Sequence, residues 1–470
     1  MVYRIEQSGR LRLAILLGLW GIGASSVRAE THPSVPALSS RPGAAYTIYL
    51  DFAGFTFTGN WWTGTPGTTP AYNLDSDATT FSSLELSNIT KVWARVAEKY
   101  AAFNINVTTV DPAVAAGKAS TDKARQAYYD QTARLMHTVV GGTGSWIGGG
   151  GYSAVGTTKN TYATTANSGA GIGNHTNWVF SGQNGSNLQF IGEAVAHENG
   201  HGLGLSHQAD YIGSLILNDY STNNGSKAYA PTMGLAYGTN GNQVQRGTWR
   251  IGTNSAGATQ NDVATILGNS GLTFVDDGQA HTLAAAKALP TFDDGTVNYT
   301  LAKGVIMPSS TASPAAIGAS NYTSDFFSFQ TAGGLVTLTA NDGGELITAG
   351  VADDGATLNS TLSIFDSTGT LVGTGVQAAS TLSETFSAEL SAGTYYAQIS
   401  SAGGYTSAFA TTAYYYDMGS YFLTGSGFTA VPEPAALALL ATAGVMVSLR
   451  TRRHSPEHRG YIRSWEGEMQ

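Results

Sequence analysis

One run of the chain combines side chains able to bind a metal ion with one able to move a proton: Glu193-Ala-Val-Ala-His197-Glu198-Asn199-Gly200-His201-Gly-Leu-Gly204-Leu-Ser-His207. On an α-helix, positions four apart turn through about 400°, so His197 and His201 lie only about 40° apart on one face and both imidazoles reach one ion. Glu198 follows the first of them, placed to touch a water on that ion without taking a coordination position, as a general base must. A continuing helix cannot return a third ligand to the same point. Gly204 supplies the reversal, because glycine accepts left-handed backbone without steric cost. His207 then completes three nitrogen ligands and leaves one position open for water, the arrangement of catalytic rather than structural zinc. The chain has Cys 0, so a metal must be held by His and carboxylates. His137, His175 and His281 read as surface or core histidines outside this set. Gly200 and Gly202 each cost the helix up to ~1 kcal/mol relative to Ala. Metal binding and packing must offset that, so the metal-free site is expected to be looser than the loaded one.

The elements that must position these residues follow from periodicity. Tyr46 to Phe52 alternates as a strand, and Ile89, Val92, Trp93, Val96, Tyr100 and Phe103 recur at helical spacing. Ile105 to Val110, Leu135 to Val140 and Asn177 to Phe180 read as further strands, Leu188 opens the helix of the histidines, and Asp262 to Leu267 is a short helix. Gly141 to Gly156 is so rich in glycine that irregular backbone or a bulged edge strand is expected. After a connector at 276–297 come short alternating strands at Phe326–Phe329, Leu335–Thr339, Leu362–Asp366, Thr394–Ile399 and Tyr421–Thr424, which read as a β-sandwich. The expected fold class is therefore α+β: a mixed sheet with an active-site helix over 45–275, then an all-β sandwich over 298–428. The pairs Asp276-Asp277, Asp293-Asp294 and Asp353-Asp354 read as solvated turns in preference to structural calcium sites.

Length and composition agree. The 470 residues leave room for two or three domains, and 42% hydrophobic residues exclude a disordered chain. Only 12% of residues are charged while Gly reaches 59, the surface of an exported, loop-rich protein. Between residues 30 and 430 there are 14 basic and 27 acidic side chains, a net of −13 that would repel a nucleic-acid backbone.

The pattern HExxHxxGxxH resembles the metzincin clan of zinc metallopeptidases. Those enzymes carry a Met in a tight turn beneath the metal, and Ala230-Pro231-Thr232-Met233-Gly234 places Met233 26 residues after His207. The resemblance implies that Met233 is a packing floor for the imidazoles and not a ligand. Some metzincins place a Tyr two residues after this Met. Here that position is Leu235 and the nearest Tyr is Tyr237, so the role is not carried over. The implied activity is that of a zinc-dependent endopeptidase with one catalytic Zn2+, acting on a protein or peptide substrate with Glu198 as base. In related enzymes the substrate lies extended against an edge strand, for which Trp146 to Val155 is the candidate. Without Cys, and with no Asp in residues 30–45, no zinc-capping propeptide is expected. The sandwich segments Asp325-Phe-Phe-Ser-Phe329, Ser363-Ile-Phe-Asp-Ser-Thr-Gly369, Ala392-Gly-Thr-Tyr-Tyr396 and Gly419-Ser-Tyr-Phe-Leu423 resemble the bacterial pre-peptidase C-terminal domain.

Both ends read as targeting segments. Arg4, Arg10 and Arg12, the apolar run Leu13 to Ile22 and the small residues around Val27-Arg28-Ala29 mark residues 1–29 as a secretory signal for signal peptidase, with 30–44 as linker. Val431-Pro432-Glu433-Pro434, an apolar stretch to Leu449 and Arg450-Thr451-Arg452-Arg453 resemble the PEP-CTERM sorting signal over 431–453, ahead of a tail at 454–470. Fifteen apolar residues rise only about 22 Å as a helix, which suits a transient membrane anchor processed by an exosortase-like enzyme. The expected location is the surface or exterior of a Gram-negative bacterium. A second function class stays open: a surface adhesion or binding protein on an inactive protease scaffold. Ligand spacing alone also admits a zinc hydrolase acting on something other than peptides.

Overall fold

Five strands form the first sheet: β1 (Tyr46–Asp51), β2 (Ile105–Thr108), β3 (Leu135–Val140), β4 (Gly151–Tyr152) and β5 (Thr176–Val179), in the order β2-β1-β3-β5-β4. The first three pairings are parallel and β4 joins antiparallel at the edge, so the glycine-rich stretch ends as a short edge strand. Strands β1, β2, β3 and β5 are buried almost throughout, as strands covered on both faces must be. The covering helices are α1 (Ser83–Lys99), α2 (Asp122–Gln131) and α3 (Leu188–Gly202). Helix α1 starts at a capping box in which Ser82 accepts from Glu85 N and Glu85 reaches back to Ser82 N. Helix α3 starts at Asn187, whose side chain accepts from Phe190 N. These coordinates are a computed structural model, describing residues 32–429 except 60, 62–63, 76, 78, 119–120, 159–174, 223–228, 237–238, 241–242, 245, 270, 310–318, 345–352, 354, 379–380 and 408–412. The signal segment 1–29, the sorting segment 431–453, the tail and Tyr237 lie outside them. Among the described residues no helix is long and apolar enough to cross a membrane.

Beyond α3 come the hairpin β6 (Asp210–Ile212) and β7 (Leu215–Asn218), the parallel pair β8 (Tyr229–Pro231) and β9 (Arg246–Thr248), then β10 (Arg250–Thr253), β11 (Thr259–Asn261) and α4 (Asp262–Leu267). Among its described residues the C-terminal part holds strands and single helical turns: β12 (Lys287–Ala288), β13 (Lys303–Ile306), β14 (Ser324–Thr331), β15 (Gly334–Asp342), β16 (Ser360–Asp366), β17 (Leu371–Thr374), β18 (Val376–Gln377), β19 (Glu384–Leu390), β20 (Gly393–Ser401), β21 (Tyr405–Ser407), β22 (Ala413–Tyr415) and β23 (Gly419–Ser426). Two five-stranded sheets, β12-β14-β20-β16-β17 and β13-β23-β15-β19-β18, share a core built on Phe327, Val336, Leu338, Leu362, Ile364, Phe386 and Ile399. The molecule is thus α+β, with several sheets and more strand than helix.

Two stretches expected to be connectors are tied down. Ser40 N donates to Val107 O at 3.0 Å and Thr109 N to Leu38 O at 3.0 Å, so residues 38–40 lie along β2. Within 276–297, Lys287 and Ala288 pair with Phe327 and Ser328 of β14. A further sheet, β11-β10-β22-β21, takes strands from both halves of the chain, with Arg250 opposite Tyr415 and Ile251 opposite Tyr414.

Candidate metal centre

The reversal after α3 is a Schellman closure. Leu205 N donates to Gly200 O at 3.0 Å and Gly204 N to His201 O at 2.8 Å, with Gly204 at φ 97°. That turn brings His207 back to His197 and His201: one ligand-type nitrogen from each lies within 4.8 Å of the others, and ring centroids stand 4.7, 5.2 and 4.8 Å apart. His197 Nδ1 faces the Thr232 carbonyl at 2.8 Å and His201 Nδ1 faces the Leu205 carbonyl at 2.7 Å. A carbonyl only accepts, so both Nδ1 atoms carry the proton and both Nε2 atoms present lone pairs. His207 Nδ1 lies 3.7 Å from Asp219 Oδ2, which favours the same tautomer. His201 Nε2 and His207 Nε2 then meet at 3.1 Å as two lone pairs, an arrangement that repels unless a cation lies between them. The donor set fits zinc.

Burial sets the protonation states. It holds His197 well below the usual imidazole range, with the neighbouring His201 and His207 adding to the shift, and lowers His201 to about 4. His207 is lowered too, mainly by burial. All three are neutral at pH 7, as ligands must be. Burial acts oppositely on Glu198, raising it to about 8. Glu198 lies under the edge strand: a Cβ on Gly151 of β4 would stand 2.5 Å from its Oε1, so glycine lets β4 pass without displacing the carboxyl.

The packing expected to offset the two helix glycines is present in α3. A Cβ on Gly200 would run into Met233 Sδ, and one on Gly202 into Met136 Cε. Met233 is fully buried against the histidine helix, in a turn closed by Gly234 N to Pro231 O at 2.8 Å. Its own carbonyl accepts from Gln208 N at 2.7 Å, and its neighbour Thr232 holds His197, so this one turn braces both sides of the centre. The other histidines lie elsewhere. His137 is buried on β3 between Asp51 and Thr176, His175 is buried beside β5, and His281 sits against Asp325.

Three neighbours escape a reading of the sequence. Tyr220 packs on His207 with centroids 4.0 Å apart and the rings tilted by 37°, and it is pushed up to about 12, chiefly by burial. Asp219 faces His207, and Gly151 lies on Glu198. The β6–β7 hairpin separates Tyr220 from His207 along the chain, and no local pattern announces that its two ends meet.

No family model matches the sequence, and no curated protein does. Among solved structures, the pre-peptidase C-terminal domain of a collagenase from Bacillus anthracis is similar over 28% of this chain and 89% of that domain, at 12% identity and a TM-score of 0.16. So slight a superposition fixes neither the fold nor the function of this chain.

Proposed function

We propose that the chain is an exported, zinc-dependent endopeptidase of metzincin type. The observation that carries this reading is the meeting of three neutral imidazoles, two with Nδ1 fixed by carbonyls, beside a buried carboxylate. His197, His201 and His207 would hold the ion through Nε2. When bound, the zinc supplies a Lewis acid that brings the pKa of a water towards ~7 and polarises a substrate carbonyl. With a cation in the centre to offset its burial, Glu198 would be ionised and would take a proton from a water there and pass it to the leaving amine, and its burial suits it to hold that proton between the two events. Strand β4 ends the sheet beside Glu198 and offers backbone groups to an extended peptide. Met233 keeps the imidazoles from sinking into the core.

Export by the signal segment, transient anchoring through 431–453 and cleavage there by an exosortase-like enzyme complete the proposal, with the sandwich as a pre-peptidase C-terminal type domain. The test is Glu198→Ala in the full chain. It should keep zinc and lose about 10²–10⁴-fold in cleavage of an unfolded protein. A parent that cleaves no faster than this variant, with neither exceeding the rate without zinc, would move the reading to a binding protein on a protease scaffold.

A further inference from the structure

Outside the histidine centre, one cluster brings together groups of metal-ligand type. Asp277 and His281 lie on the stretch leading into the sandwich, Asp325 lies on β14, and one ligand-type atom of each is within 4.8 Å of the others. Asp325 is fully buried. Its Oδ2 accepts from the Tyr421 hydroxyl at 2.7 Å, but its Oδ1 is buried without a hydrogen-bond donor. His281 Nδ1 stands 3.2 Å from that oxygen, yet makes its hydrogen bond to the Ser324 carbonyl, also at 3.2 Å. Asp277 is held by Gln279 N at 3.0 Å and Val305 N at 2.7 Å. A Cβ on Gly304 of β13 would stand 2.5 Å from Asp325 Oδ2, so the space beside the carboxylate is kept by the absence of a side chain. Burial, with the Asp277 charge adding to it, raises Asp325 to about 7. Against the two carboxylates stands the imidazole of His281, 3.2 Å from Asp325 Oδ1.

We propose that Asp277, His281 and Asp325 form a second divalent-cation site that clamps the stretch entering the sandwich onto β13 and β14. Two carboxylates and one imidazole suit a borderline ion such as Zn2+ better than Ca2+, which prefers an all-oxygen shell. His281 is half exposed, which gives the ion a path from solvent and leaves room for water ligands. Asp276 keeps the solvated turn expected of Asp276-Asp277, with Gly278 N donating to it at 2.9 Å, while Asp277 turns its other oxygen to Val305 N at 2.7 Å.

The experiment is zinc titration of the metal-stripped full chain, with bound metal counted by elemental analysis, for the parent, His281→Ala and His201→Ala. The expected result is two equivalents in the parent and one in each variant, with His281→Ala retaining the parent's hydrolysis. His281 is half exposed, so this variant should fold, and an unchanged circular dichroism spectrum checks it. Zinc content in His281→Ala equal to the parent would overturn the proposal and leave an imidazolium–carboxylate pair. Filling of the site by millimolar Ca2+ with exclusion of Zn2+ would overturn the choice of ion. Loss of the equivalent tied to His201 alone would touch only the proposed catalytic centre.

Discussion

In the metal-free chain burial drives protons off His197 and His201 and onto Glu198, so three neutral imidazoles and one protonated carboxyl share a single dry corner. In the metal-free chain Glu198 binds its proton more tightly folded than unfolded, with about 8 against 4.5. Its contribution to stability is therefore complete below pH 4.5 and is lost as pH rises towards 8. Glu198→Gln removes this titration. Denaturant melts of the two metal-free proteins should show the parent losing on the order of 5 kcal/mol relative to the variant between pH 4.5 and 8. A difference independent of pH would mean that the carboxyl is solvated. At this scale the sequence was legible where helix geometry did the work, in His197, Glu198, His201 and the turn at Gly204. It was silent on Tyr220, Asp219 and Gly151, because each reaches the centre through tertiary contact.

The histidine helix shows why an element's composition can mislead. Gly200 and Gly202 lower helix propensity, yet each admits a methionine that a Cβ would displace. For Gly200→Ala, the propensity gain of up to ~1 kcal/mol competes with an overpacking cost of about 1–3 kcal/mol against buried Met233. Packing should win: the expected outcome is a lower melting temperature and weaker zinc retention, since Met233 and Thr232 share the turn that holds His197. A variant more stable than the parent would show that Met233 swings aside freely. Strands and helices with clean alternation or helical spacing were legible, among them β3, α3, α4 and the central sandwich strands. Short pairings such as β12 with β14 were not, because two residues carry no period.

Over the whole molecule, the two halves expected from composition meet through buried polar contacts as well as the shared sheet. Arg95 and Lys99 of α1 each lie 3.0 Å from Glu193 Oε1, one helical turn before His197. Lys99 Nζ also donates to Gly247 O at 2.8 Å and Gly355 O at 3.1 Å, and Glu98 accepts from the backbone and hydroxyl of Ser420. Breaking such a buried network by removing one side costs several kcal/mol, so the halves should unfold together. Calorimetry of the full chain is expected to show one transition, and two resolved transitions would mean that the sandwich is a detachable module. The central claim, that His197, His201 and His207 hold one zinc with a corner left for water, is tested most directly by X-ray absorption at the zinc edge on the full chain carrying a single equivalent. The account predicts three imidazole nitrogens and one oxygen at about 2.0–2.1 Å. A shell with fewer than three imidazoles, or failure to retain the equivalent, would contradict it.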